Sequence, residues 1–292
     1  MHLSVQQVSV QHPSAKPGDA PALHRLNLSL TQGEQVALIG PSGAGKTTLL
    51  HTLALALVPT QGQLHLGIAP GASTPVQPWT LPRTDLQRLR GRLFLAPQVP
   101  PLPPRQRVVT AVLAGKLPQW TLWSSLKSLF LPQDMAAAHT ALARFDLADK
   151  LFERVDHLSG GERQRVGLAR ALLALQEHAG APEGANLLLV DEPLSALDPT
   201  RATQALQTLT ATAQERGVTL VASLHHVELA LAHFPRIVGL RGGEMAFDLP
   251  ASQVTPQVLH QLYAQHLDEL TAPRPEASLS SAGPAPVVMH CR

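Results

Sequence analysis

Two groups of residues in this chain are of the kind that handles a phosphate anhydride. The first is Gly40-Pro41-Ser42-Gly43-Ala44-Gly45-Lys46-Thr47, followed by Thr48. Its glycines free the backbone to turn so that successive N–H groups face one anion. A helix opening at Lys46-Thr47 adds unpaired N–H groups and the positive end of its dipole. Lys46 would lay a point charge on the β- and γ-phosphates, and the Thr47 hydroxyl would ligate Mg²⁺. The second group is Asp191-Glu192, which ends the run Leu187-Leu188-Leu189-Val190. Asp191 can hold Mg²⁺ directly or through water, and Glu192 can orient and polarise an attacking water. Adjacent carboxylates are more often a solvated strand end, but a fully apolar run directly before them argues against that. The two groups together imply a nucleoside triphosphate site.

The elements that must carry these residues can be read around them. Val36-Ala37-Leu38-Ile39 is an apolar run before the glycine-rich loop, and residues 49–55 are a largely apolar stretch after it. Strand, loop and helix is the context in which G-x-x-x-x-G-K-[ST] binds phosphate. Residues 3–10 and 22–30 alternate apolar and polar side chains and read as half-buried strands. The helix after the loop is expected to end at residues 59–62, with a short strand at 63–66. Residues 69–82, rich in Pro, Gly, Ser and Thr, read as a surface excursion. Residues 92–96 form a buried strand ending at Pro97-Gln98, and the four prolines of 99–107 forbid a helix there. Helices are expected at 108–117, 134–145 and 162–175, a loose loop at 177–185, and apolar strands at 187–190 and 218–224. Strands alternating with helices predict an α/β fold whose parallel sheet is covered on both faces. From Thr271 the composition turns to Ala, Pro and Ser, and 271–292 reads as a disordered tail.

Composition narrows the class further. A chain of 292 residues, 44% hydrophobic and 15% charged, can bury a substantial core. The formal net charge is only +2, so the pI near 9.0 reflects a small imbalance among few charges, and no nucleic-acid partner is expected. One cysteine, Cys291, and fourteen histidines without ligand spacing provide neither a disulfide framework nor a thiolate metal cluster. No run of eighteen apolar residues occurs and Met1-His2-Leu3-Ser4 does not read as a signal peptide, so membrane association is expected to come through a partner.

Further stretches separate this chain from other phosphate-loop proteins. Leu158-Ser159-Gly160-Gly161-Glu162-Arg163-Gln164-Arg165-Val166 resembles the signature motif of ATP-binding-cassette (ABC) ATPases. Leu187 to Pro193 resembles their Walker B strand, and Ser195-Ala196-Leu197-Asp198 their D-loop. Gln98 falls at the Q-loop glutamine and His225 at the switch histidine. All five occur in the family's order, and the resemblance covers about residues 1–270. It implies a P-loop ATPase with a parallel-sheet core, an N-terminal antiparallel β subdomain and a helical subdomain inserted at about 99–160. It also implies that ATP and Mg²⁺ bind at residues 40–48 with Thr47, Asp191 and Gln98 toward the metal. Glu192, His225 and Gln98 would then act on the hydrolytic water and the γ-phosphate. Ser159, Gly160, Gly161 and Asp198 would complete the site of a second copy in a head-to-tail homodimer.

Within the family, Arg107 to Leu117, Trp120, residues 123–130, 134–150 and Ser223-Leu224-His225-His226-Val227-Glu228 resemble phosphonate-import ATPases. That likeness implies a peripheral subunit on the cytoplasmic face of the inner membrane, docked on an integral permease and served indirectly by a solute-binding protein. A cassette for another solute, and a soluble ABC ATPase, are the alternatives. Residues 129–131 would either touch the permease or fill the subdomain's own core, and the prolines of 99–104 would stiffen the link to it. Four departures stand out. His12 occupies the position where the family stacks an aromatic ring on adenine, the loops at 69–82 and 177–185 are long, Glu162 replaces glutamine, and Leu194-Ser195-Ala196 replaces Val-Ala-Ser.

Overall fold

The computed structural model describes residues 2–12, 14–16, 18–67, 76–119, 134–175 and 186–264. The expectations for the tail, for residues 123–131 and for the loop at 177–185 lie outside these. Two sheets organise the chain. The smaller has the order β2-β1-β4, from β1 (His2–Val10), β2 (Leu23–Thr31) and β4 (Gln61–Gly67), all antiparallel. The larger has the order β5-β6-β7-β3-β8-β9, from β3 (Gln35–Ile39), β5 (Leu93–Ala96), β6 (Leu187–Asp191), β7 (Thr219–Ser223), β8 (Arg236–Arg241) and β9 (Glu244–Pro250). The first five strands in that order run parallel and β9 closes one edge antiparallel.

Side chains alternate across a strand, and here both sides of the larger sheet are dry. Val36 and Leu38 of β3 join Leu187, Leu189, Val221 and Val238 in a core with the small sheet and helix α1 (Lys46–Leu53). Ala37 and Ile39 point the other way, into a second core with Leu188, Val190, Leu220 and Ala222. That core is roofed by α3 (Val108–Leu113), α4 (Met135–Ala143), α5 (Gly160–Ala174), α6 (Pro199–Glu215) and α7 (Val227–His233). Complete burial on both faces explains why β6 and β7 read as continuous apolar runs.

Several expectations need correction. The helix after the glycine-rich loop stops at Leu53, not near residue 59, because Leu55 turns into the left-handed region at φ 59°. Its carbonyls are closed off by Leu55 N–H to Thr52 O at 3.0 Å and Ala56 N–H to His51 O at 2.9 Å. From Val76 onward the supposed surface excursion is packed: Val76 bridges Leu66 and Trp79 lies against the smaller core. Helix α2 (Arg83–Arg90) follows, its Leu89 buried. The sequence reading gives no strand after residue 224, whereas β8 and β9 complete the sheet and α8 (Pro256–Leu262) packs behind it.

Candidate functional site

The parallel sheet gathers the chemistry at one edge. Adjacent strands β5, β6, β7 and β3 deliver, at their carboxyl ends, Gln98, Asp191-Glu192, Ser223-Leu224-His225 and the loop from Gly40. The crevice outside the carboxyl ends of parallel strands is where such sheets bind ligands.

The glycine-rich loop is shaped by close contacts. Gly40 has φ 146°, and a Cβ on it would lie 2.1 Å from the Leu240 carbonyl of β8, so no other residue fits. Gly45 starts α1 at φ 98°, where a Cβ would meet the Ala22 carbonyl at 2.7 Å. Lys46 is 5% exposed, and its ammonium donates to the carbonyls of Gly40 (2.7 Å) and Pro41 (3.1 Å). Its charge is thereby held over the loop's own backbone. Ala44 is buried, Thr48 half-buried, and Ser42, Gly43 and Thr47 are exposed.

Beside the loop, Glu192 is held from both sides. Gln98 Nε2 donates to Glu192 Oε2 at 2.7 Å, and His225 Nε2 lies 2.5 Å from Glu192 Oε1. The His225 hydrogen bond is the main reason this carboxyl's pKa is lowered; burial opposes it, and the charges of His225 and Lys46 add to it. Glu192 also has a left-handed backbone at φ 45°, which costs a side-chain-bearing residue about 1–2 kcal/mol. The strain is held by Ser223, whose hydroxyl accepts from the Glu192 N–H (2.9 Å) and donates to Asp191 Oδ1 (2.6 Å). Asp191 is 3% exposed, and Ser223 is fully buried.

Ser159 caps α5. Its Oγ accepts from the Glu162 N–H at 3.2 Å, while Glu162 Oε2 accepts from the Ser159 N–H at 2.8 Å. That reciprocal pair accounts for a glutamate at 162, and its pKa is lowered, first of all by the Ser159 backbone bond. With Oγ accepting, the Ser159 O–H remains to donate outward from an exposed helix start that includes Gly160. Gly161 packs against the turn before α6, a Cβ there falling 3.0 Å from the Ala196 carbonyl. Asp198 caps α6 by accepting from the Arg201 N–H at 3.0 Å. His12 stands exposed beyond β1 with Nδ1 2.7 Å from Ser14 Oγ, and among the described residues it makes no hydrogen bond to the loop.

The residues 40–48, 98, 191, 192 and 225 therefore converge within one chain, whereas Ser159, Gly160, Gly161 and Asp198 stand at two other helix starts. Among the described residues no cluster of three or more His, Cys, Asp or Glu side chains is arranged around a metal. Mg²⁺ held through substrate phosphates and one carboxylate needs no such cage. Asp191 with the Thr47 hydroxyl and the Gln98 amide oxygen is a hard oxygen set that suits it.

The sequence of residues 23–195 matches the family model described as ABC transporter. The chain belongs to the ABC transporter family. It is 64% identical, over the whole of both chains, to the phosphonates import ATP-binding protein PhnC 2 of Albidiferax ferrireducens. It is 62% identical, again over the whole of both, to the phosphonates import ATP-binding protein of a Polaromonas species. The corresponding protein PhnC 1 of Pseudomonas aeruginosa is 50% identical over 99% of this chain and 98% of its own. Among solved structures, a nucleotide-free ATP-binding cassette from an ABC transporter matches 94% of this chain and 100% of its own at TM-score 0.68 and 18% identity. A dimeric cassette bound to ADP and Pi matches 85% of this chain and 98% of its own at TM-score 0.66 and 24% identity. These two likenesses concern the fold. The chain is an ABC ATPase most similar to phosphonate-import ATP-binding proteins.

Three residues at this ABC site make contacts that motif reading does not assign. Ser223 ties the Asp191 carboxylate to the Glu192 backbone N–H, a role that its place in the Ser223-Leu224-His225 stretch does not announce. Gln164 reaches from α5 to the Pro193 carbonyl at 3.1 Å, joining the signature helix to the loop after Glu192. The Tyr263 hydroxyl oxygen accepts from the Gly40 N–H at 3.1 Å across 223 residues of sequence, and nothing local announces it.

Proposed function

We propose that this chain binds and hydrolyses ATP to drive phosphonate import, as the peripheral ATPase subunit of a membrane permease at the inner membrane. One observation supports the catalytic part. A single carboxylate, Glu192, sits between an amide donor and an imidazole beside a lysine-bearing phosphate loop. In this reading residues 40–48 wrap the triphosphate and Lys46 neutralises its outer phosphates. Glu192 accepts the proton of the attacking water while Gln98 and His225 fix its carboxylate. His225 would then donate toward the γ-phosphate. His12 would lie against adenine. Mg²⁺, when bound, would neutralise charge developing on the phosphate oxygens, and Thr47, Asp191 and Gln98 would hold it. Because Gln98 Nε2 is committed to Glu192, its amide oxygen is the atom left for the metal.

Two copies would pair head to tail, so that Ser159, Gly160 and Gly161 of one meet the triphosphate bound by the other. The outward Ser159 hydroxyl and the free N–H groups at the start of α5 suit an anion there. Asp198 would sit at the same junction. A solute-binding protein would deliver the phosphonate to the permease. No helix of the described residues is long and apolar enough to cross a membrane, so the permease must supply the membrane path. The cargo reading leans on 64% and 62% identity spanning the whole chain, including the helical subdomain that would face the permease. Deleting this protein should abolish growth on a phosphonate as sole phosphorus source and leave growth on phosphate intact. Unimpaired uptake of a labelled phosphonate by the deletion strain, with no second importer present, would overturn the cargo and leave the ATPase reading standing.

A further inference from the structure

Away from the strand ends, a groove of about 270 Å³ runs between the end of α4, the middle of α5 and the first half of α6. It is smaller than the roughly 300–1,000 Å³ of sites for drug-sized ligands, so its natural occupant is a small one. Arg144, Arg165 and Arg201 line it, one from each helix region, against the single carboxylate of Asp146. Gln204 and Thr208 add neutral polar groups along the α6 wall.

Arg165 is the decisive side chain. It is 8% exposed, its Nη1 donates to the Phe145 carbonyl at 2.6 Å, and its buried Nε has no hydrogen-bond partner. An unmet donor on a buried guanidinium is costly, and among the described residues Arg165 shares that state with Arg170 and Trp79. Burial, and after it the charge of Arg201, lower the pKa of Arg165, whereas Glu162, Asp146 and Asp198 act the other way. The two rim arginines are only loosely tied. Arg201 Nε is 3.6 Å from Asp198, and Arg144 Nη1 is 3.9 Å from Glu215 while donating to Thr212 Oγ1 at 2.7 Å. Both ion pairs exceed hydrogen-bond length, so most of the fork-shaped donor surface of each is available.

We propose that this groove binds a small tetrahedral oxyanion of the phosphate or phosphonate type, gripped by Arg144, Arg165 and Arg201. Planar guanidinium forks match such oxygens in pairs, which gives shape recognition as well as charge. The bound anion offsets the repulsion between Arg165 and Arg201. It also ties α5, whose first residues follow Ser159, to α6, which starts at Asp198. The site is separate from the glycine-rich loop and does not depend on which solute the transporter carries.

The test uses the full chain with its nucleotide site filled by adenylyl-imidodiphosphate, so that the glycine-rich loop cannot bind the probe. Inorganic phosphate is titrated by calorimetry at constant ionic strength, with methylphosphonate, sulfate and chloride in separate arms. Saturable phosphate binding is expected, weakened at least tenfold by Arg201→Gln and by Arg144→Gln. Both changed side chains are part-exposed, and melting curves without phosphate check that the variants stay folded. The tightest arm among the oxyanions names the ligand class. Absence of saturable binding with the analogue present, wild-type affinity retained in either glutamine variant, or equal response to chloride would each overturn the proposal.

Discussion

Replacing Glu192 by glutamine separates its two duties, holding the site together and taking a proton. The carboxylate, 16% exposed, bonds Gln98 through one oxygen and His225 through the other. In Glu192→Gln the amide oxygen can keep the Gln98 bond. The new amide group then faces His225 Nε2, which accepts if the imidazole proton moves to Nδ1. The ground-state arrangement survives at the cost of a tautomer change, so ATP affinity should stay within a few-fold of the wild type. What disappears is the proton acceptor. Loss of a positioned base costs about 10²- to 10⁴-fold, or roughly 3–5 kcal/mol of barrier. Phosphate release under saturating ATP should therefore fall at least 100-fold, and an ATP-bound dimer should accumulate on size-exclusion chromatography. The pH dependence gives an independent check. Because the His225 bond lowers the Glu192 pKa, the carboxylate stays ionised as pH falls through the ordinary glutamate value of about 4.3. The wild-type acid limb assigned to Glu192 should accordingly lie below that value and be missing from the variant's residual rate. Hydrolysis within about five-fold of wild type would remove Glu192 from the mechanism.

Lys46→Ala should abolish tight nucleotide binding by the monomer, whereas Ser159→Arg should spare it and block dimer closure and turnover. If fluorescence titration showed Ser159→Arg losing monomer binding as badly as Lys46→Ala, the assignment of Ser159 to the partner's nucleotide would be wrong. Ser223→Ala removes one bond from the Glu192 N–H and one to the buried Asp191 carboxylate, and should lower unfolding stability in urea by about 2–4 kcal/mol. A loss under about 0.5 kcal/mol would mean that water or another donor replaces the hydroxyl at once.

Legibility varied with how local the cause was. The glycine-rich loop and the apolar strand before Asp191 are decided by neighbours in sequence, and each stands where its residues indicate; the helix expected from Glu162 starts two residues earlier, at Gly160, because Ser159 and Glu162 cap it reciprocally. The early end of α1 was hidden because Leu55 adopts a left-handed turn that leucine seldom takes, and only its full burial under the small sheet explains it. Strand β9 was hidden because its residues alternate between half-buried and exposed as an edge strand, without the apolar run that marks the central strands.

By itself the sequence determined the chemistry on offer: a phosphate loop, a pair of carboxylates, a stretch resembling the signature motif, and the order that places them in the ABC transporter family. Only the tertiary structure decided how those parts meet. Gln98 reaches Glu192 because β5 and β6 are neighbours, although 94 residues separate them in the chain. Gly40 must lack a side chain because β8 lies against it, and Arg144, Arg165 and Arg201 share a groove because three helices converge there. Strand pairing and helix packing couple residues far apart in sequence, so no local pattern can carry that information.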